Sequence, residues 1–275
     1  MYRSFPIKSV CRYVSFLVCL LLPVHSVFAD QKVVIGFDAG YPPFSYVNDA
    51  GKPAGIYTEI LTKAFQKIEG YSVEIKGYPW KRLMKMVEEG QVLGAYPPYY
   101  WPTKRPWMSP YSEPILTERV TVYCNRKSLP VSELQAPIRW PQSFYGMRIG
   151  NDAGFETPGP EFFDAVRNGL IEIHEGSTLQ NIKLLLLNRI DCYVNGELSI
   201  LHSVKKLVDK GFMVNESKDL LKAFTIREND GFIGYAQKAT NFFYKEDFIE
   251  KVDSAIKQMK ASGEIDSILK SYESQ

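Results

Sequence analysis

VVIGFDAGYPPFSYVNDAGKPAGIYTEIL, residues 33–61, is the stretch on which the fold turns. Val33-Val34-Ile35-Gly36-Phe37 is a short β-branched run ending in Asp38, as a buried strand would. Residues 39–55 carry three prolines and three glycines and must be loop and turn. From Ile56 onward, apolar side chains recur at Ile60, Leu61, Ala64, Phe65 and Ile68, the spacing of one helix face, and Gly70 ends the run. A strand, a loop at its carboxyl end and a helix packed back on it make one unit of a parallel sheet.

Working outward, the alternation continues. Tyr71 to Lys76 reads as a strand, Trp80 through Leu83, Met84 and Val87 as a helix stopped by Gly90, and Val92 to Tyr96 as a strand. After a loop rich in Pro, Tyr and Trp, Val120 to Cys124 is a further strand. A second series then starts. Met147 to Asn151, Ile171 to His174 and Asp191 to Asn195 read as strands, with helices over Glu161 to Gly169 and behind a Ser177 or Thr178 cap. Phe232 to Ala236 forms a strand, followed by a helix through Phe248, Val252, Ile256 and Met259 with a last turn near Gly263. Two successive series of strands and helices imply an α/β protein of two lobes, which the length permits.

The first 29 residues do not read as part of either lobe. Arg3, Lys8 and Arg12 precede the apolar Phe16–Leu22, and Val27-Phe28-Ala29 has small residues where a signal peptidase needs them. A membrane span of about 20 apolar residues is the rival reading. Pro23, His25 and Ser26 interrupt the run too early for it. A signal peptide over residues 1–29, cleaved after Ala29, is therefore expected. Neither Cys11 nor Cys19 follows the small residue that lipid attachment needs. Cleavage removes three basic residues and no acidic one, taking the formal charge from +2 to −1. That balance gives no reason to expect nucleic acid or an anionic membrane as partner.

Two cysteines remain, Cys124 and Cys192. Export favours a bridge between them, and two buried thiols are the alternative. No metal-ligand spacing is present, and no metal or cofactor is expected. His174 ends a strand and His202 lies in a helix, positions of structural histidines. HExxH, GxSxG and a phosphate-cradling glycine loop are all missing, which turns the reading from the common hydrolases towards binding.

Two loops carry the binding chemistry. Asp38-Ala39-Gly40-Tyr41-Pro42-Pro43-Phe44 lies past the carboxyl end of a strand, where open α/β sheets bind ligands. Tyr41 is the contact residue there, and Phe44 belongs to the core. Tyr96-Pro97-Pro98-Tyr99-Tyr100-Trp101-Pro102-Thr103-Lys104-Arg105 follows another strand and sets aromatic faces beside a guanidinium suited to a carboxylate or phosphate.

Those two segments, with WMSPYSEPI, YGMRIGNDAGFE, LLLNRIDCYVNG and IKQMKASGEIDSILKSY, resemble in order and spacing the bacterial extracellular solute-binding proteins of family 3. The resemblance covers residues 32–273. It implies a type II-like periplasmic binding protein fold, two α/β lobes joined by two hinge strands, closing on ligand by hinge bending. Residues 30–120 would begin lobe 1, 121–226 form lobe 2, and 227–275 return to lobe 1. The implied protein is a periplasmic monomer that binds a small carboxylate-bearing solute, such as an amino acid or derivative, for an inner-membrane ABC permease. A sensor docking on a receptor and a dehydratase-like enzyme are the alternatives on this fold.

Position by position, the resemblance puts Asp38, Tyr41, Trp80, Pro97, Tyr99 and Arg105 on the lobe-1 wall, with Arg105 pairing the ligand carboxylate. Gly154, Phe155, Glu156 and Asn195 fall at the lobe-2 contact positions. Three departures stand out. Pro97, Pro98 and Tyr100 replace small hydroxyl residues, Phe155 and Glu156 replace others, and Asn195 replaces the acid that receives the ligand ammonium. Glu156 and Glu197 are the carboxylates on hand to substitute.

Overall fold

The computed structural model describes Tyr2 and residues 30–129, 137–238 and 242–273. The expected signal peptide lies outside the described residues. From Gln31 onward the chain packs as one unit.

The first lobe opens with β1 (Gln31–Asp38), buried along most of its length because helices cover both faces. The stretch read as loop holds a small three-stranded sheet of β2 (Gly40–Tyr41), β3 (Ser45–Val47) and β4 (Pro53–Ala54). Helix α1 (Ile56–Gln66) begins at Gly55, which has a positive φ of 112° and lies against the Pro43 and Phe44 carbonyls. Only glycine fits there without strain. Then come β5 (Tyr71–Tyr78), α2 (Trp80–Glu88), β6 (Gly94–Tyr96) and the short β7 (Met108–Tyr111).

The chain leaves lobe 1 on β8 (Leu116–Asn125). It builds lobe 2 from β9 (Arg148–Asp152), α3 (Pro160–Arg167), β10 (Glu172–Gly176), α4 (Thr178–Leu186), β11 (Cys192–Gly196) and α5 (Glu197–Asp209). Helix α4 starts with a reciprocal capping box between Ser177 and Gln180, which satisfies two otherwise orphaned donors. The return path is β12 (Leu220–Gly231), antiparallel to β8 and shifted in register at two points. It leads into β13 (Gly234–Ala236), α6 (Lys245–Ala261) and α7 (Glu264–Glu273).

Two five-stranded sheets result, in the orders β5-β1-β6-β13-β7 and β10-β9-β11-β8-β12. The chain thus crosses between lobes on the adjacent strands β8 and β12. Each lobe has its own apolar core: Ile35, Phe37, Ile60 and Phe248 are among the first, and Val122, Phe144, Ile149 and Phe162 among the second. Cys124 and Cys192, left open by sequence, face each other across β8 and β11 and form a disulfide. It ties the crossing strand to the centre of lobe 2.

Candidate functional site

The carboxyl ends of β1, β6 and β9 and the start of α2 converge between the lobes. Parallel strands end there with their loops free to present side chains, which is why clefts form at such edges. Asp38, Tyr41, Trp80, Pro97, Tyr99, Trp101 and Arg105 line the lobe-1 side, and Phe155, Glu156 and Thr157 the lobe-2 side, of a cleft between them. The lobes meet around it: the Phe155 ring lies edge-on to Tyr41 at 5.3 Å and to Trp80 at 6.0 Å, and the Ser199 hydroxyl donates to the Pro42 carbonyl at 2.6 Å.

Arg105 dominates the chemistry. Its side chain is only 8% exposed, and its guanidinium lies 5.5 Å from the Trp80 ring and 5.2 Å from the Trp101 ring. The loop makes this possible, because the Arg105 amide donates to the Trp101 carbonyl at 3.0 Å and folds the turn back on itself. Two tryptophan faces thus hold one cation, an arrangement that fixes its plane. Burial lowers the pKa of Arg105, and the negative charge of Glu156 opposes that. Nη2 lies 4.0 Å from Glu156 Oε2, while Nη1 is buried with no hydrogen-bond partner in the protein. Glu156 Oε2 is likewise buried and unsatisfied. A buried guanidinium N–H without a hydrogen-bond partner therefore faces a carboxylate held only at ion-pair distance, 4.0 Å from Arg105 and 3.8 Å from Lys104.

Asp38 closes the other end. Burial pushes its pKa up to about 7; a hydrogen bond of 2.9 Å from the Gly40 amide pulls down, and the charge of Asp152 pushes up. Asp152 is raised by burial too, against four side-chain donors from Thr178, Tyr193, Asn181 and Asn195.

Eight of the ten residues singled out from sequence border this cleft; Gly154 and Asn195 do not. Asn195 is fully buried inside lobe 2. Its amide donates to Asp152 at 3.0 Å and to the Tyr193 hydroxyl at 2.5 Å, and its oxygen accepts from the Gly196 amide at 2.8 Å. Every polar group it has is spent on the lobe's own network. Gly154 sits at the seam between the lobes, with positive φ and the Lys81 side chain packed where a Cβ would be. Glu197, the other substitute acid, is held by Arg119 at 3.0 Å and Lys222 at 2.7 Å and does not border the cleft. Trp101 and Thr157 were missed. Trp101 stands in the aromatic loop already quoted, and Thr157 directly follows Glu156. No cluster of three or more His, Cys, Asp or Glu residues suited to a metal occurs among the described residues.

The model of the bacterial extracellular solute-binding proteins, family 3, matches residues 33–275. The chain belongs to that family. Solved structures agree on the fold. The arginine-, lysine-, histidine-binding protein ArtJ of Geobacillus stearothermophilus is 18% identical with a TM-score of 0.65, covering 89% of this chain and 96% of its own. The substrate-binding protein of an amino acid ABC transporter is 19% identical with a TM-score of 0.64, covering 89% and 100%. The ancestral amino acid-binding protein AncCDT-1, a precursor of cyclohexadienyl dehydratase, is 14% identical with a TM-score of 0.62, covering 88% and 94%. No curated protein matches in sequence. Among the described residues no helix is long and apolar enough to cross a membrane.

Proposed function

We propose that this family 3 protein captures a small carboxylate-bearing solute, an amino acid or a derivative, between its lobes and delivers it to an ABC permease. It works in the periplasm after cleavage of the signal peptide, and it turns nothing over. The observation that carries the reading is Arg105: a buried guanidinium, fixed by Trp80 and Trp101, with a donor left over. A carboxylate set against it restores the hydrogen bonds that burial removed, and charge-assisted pairs of this kind are the strong ones. Phe155 closes over the body of the solute from lobe 2. Asp38 receives its positive end, in place of Asn195.

The test is a thermal-shift screen of the L-amino acids, their amides and small dipeptides, followed by calorimetry on each hit. A compound at 100 times its dissociation constant adds about 2.7 kcal/mol of stability. A flat response to every carboxylate-bearing compound would reject the ligand class. Asp38 favours a second reading, because a buried carboxyl with a pKa near 7 is an acid ready for general catalysis. Loss of a hit compound on incubation with the protein, followed by chromatography, would establish it. A pull-down that recovers a receptor in place of a permease would move the role from transport to sensing.

A further inference from the structure

The alternation of β8 gives one unexpected buried residue. Leu116, Glu118, Val120 and Val122 share one parity along the strand, and all are buried, Glu118 to 2%. A carboxylate therefore occupies a core position at the lobe-1 end of the crossing strand. Three tyrosines surround it. The Tyr41 hydroxyl donates to Oε2 at 2.6 Å, Tyr57 to Oε1 at 2.6 Å and Tyr99 to Oε2 at 3.1 Å. These come from β2, the first turn of α1 and the loop after β6. Tyr41 and Tyr99 also line the cleft, whereas Glu118 and Tyr57 do not.

Both crossing strands and lobe 2 touch this cluster. Gly231, at the end of β12, bridges to Tyr99 and leaves no room for a Cβ beside the Tyr57 hydroxyl. Gly196, where β11 turns into α5, approaches from lobe 2 so closely that a Cβ would overlap the Tyr41 hydroxyl and lie 3.3 Å from Glu118 Oε2.

We propose that Glu118 is a positioning residue for ligand recognition: it fixes the two cleft tyrosines, takes up their hydroxyls and gives lobe 2 its seat. The proposal rests on the cleft being the ligand site. Its consequence is that the ligand meets tyrosine rings, and that polar recognition falls to Asp38, Arg105, Glu156 and Thr157. A carboxylate can accept all three phenol protons at once with full-strength charge-assisted bonds, whereas an amide oxygen accepts only two and its nitrogen none. Burial raises the pKa of Glu118 to about 7, against the three phenols, which lower it. The other charges felt at the cluster are Arg227, acting on Tyr99, and Asp230, acting on Tyr57.

The test needs no ligand, so a failed amino-acid screen leaves it standing. Tyrosine is labelled with carbon-13 at Cζ, and the three resonances are assigned with Tyr41→Phe, Tyr57→Phe and Tyr99→Phe. Expected is one shared titration step near pH 7 in all three, far below phenol ionisation, that disappears in Glu118→Gln. Tyr57→Phe removes one donor without touching the cleft. It should raise the midpoint reported by Tyr41 and Tyr99 by about half a pH unit, and it serves if Glu118→Gln does not fold. Hydrogen exchange in residues 38–47 and 96–105 should rise about tenfold in Glu118→Gln, with Val33–Phe37 unchanged. Separate midpoints, or a step that survives Glu118→Gln, would overturn the proposal. So would exchange rising equally in Val33–Phe37, which would make Glu118 a residue of general stability only.

Discussion

Asp38→Asn should make the ligand-free protein more stable at alkaline pH, although it removes a charge from the cleft. The Asp38 carboxyl rises from 3.8 to about 7 on folding, chiefly through burial. At about 1.4 kcal/mol per pH unit, that sets a ceiling of about 4 kcal/mol, and water entering the cleft brings the expectation to ~2–4 kcal/mol. An acid raised in this way stabilises the fold fully only below its unfolded pKa of about 4, and that contribution is lost as pH climbs through 7. Asparagine carries no charge at any pH, and its oxygen can still accept the Gly40 amide. The two proteins should therefore match near pH 4 and diverge above it, with the variant ahead by ~2–4 kcal/mol at pH 8.5. Urea denaturation at half-unit pH steps measures the difference directly. Glu118, which has the same sign, is common to both proteins and drops out. Parallel stability curves from pH 4 to 8.5 would show that Asp38 is solvated and the argument from burial wrong.

Arg105→Met should weaken binding of any carboxylate-bearing hit by about 2–5 kcal/mol in calorimetry, and Arg105→Lys should not restore it, since a point charge lacks the planar fork. Replacing Cys124 and Cys192 together by alanine opens a 68-residue separation and should cost ~4 kcal/mol in chemical denaturation. Gly196→Ala should leave both lobes folded but hold them apart, because its Cβ meets the Tyr41 hydroxyl; small-angle scattering would record a larger radius of gyration. Asn195→Asp sets a second carboxylate about 3.0 Å from Asp152, so stability should fall as pH rises, by ~1–3 kcal/mol at neutral pH, read by thermal melts.

The parts of the fold legible in sequence are those in which local pattern and burial agree. β1 shows as a short apolar run, Val33 to Phe37, because both faces of its sheet are covered, and α1 shows its buried stripe because only one face packs inward. β12 escaped notice. Its sequence LLKAFTIRENDG is mostly half-buried and lies at a sheet edge, so it has neither a continuous apolar run nor a clean alternation. The sheet of β2, β3 and β4 was hidden by its prolines and glycines. The final helical region, read as one helix and a turn, is two helices separated by Gly263 at φ 73°. Of the residues lining the cleft, Asp38, Tyr41, Pro97, Tyr99, Trp101 and Arg105 stand in the two loops read after strands, whereas Trp80, Phe155 and Glu156 came only from the family resemblance. Nothing local shows where Asn195 points, because its side chain is claimed by Asp152, 43 residues away in sequence. Contacts of that range leave no local trace. Glu118 did leave one, an acid in step with Leu116, Val120 and Val122, which becomes visible once the strand's parity is read.

The neighbouring paths of β8 and β12 make lobe 2 a cassette spliced into lobe 1. Leu116 pairs with Gly231 and Glu118 with Asn229, so the segment enters and leaves through points one strand spacing apart. A short hairpin turn joining Arg119 to Glu228 would excise the whole second lobe while keeping Glu118 beneath its three tyrosines. Whether lobe 1 then folds alone would be read by its circular dichroism and its melting. The same two strands are where a lobe from another member of the family would be grafted, which makes the crossing a point of exchange for recombination.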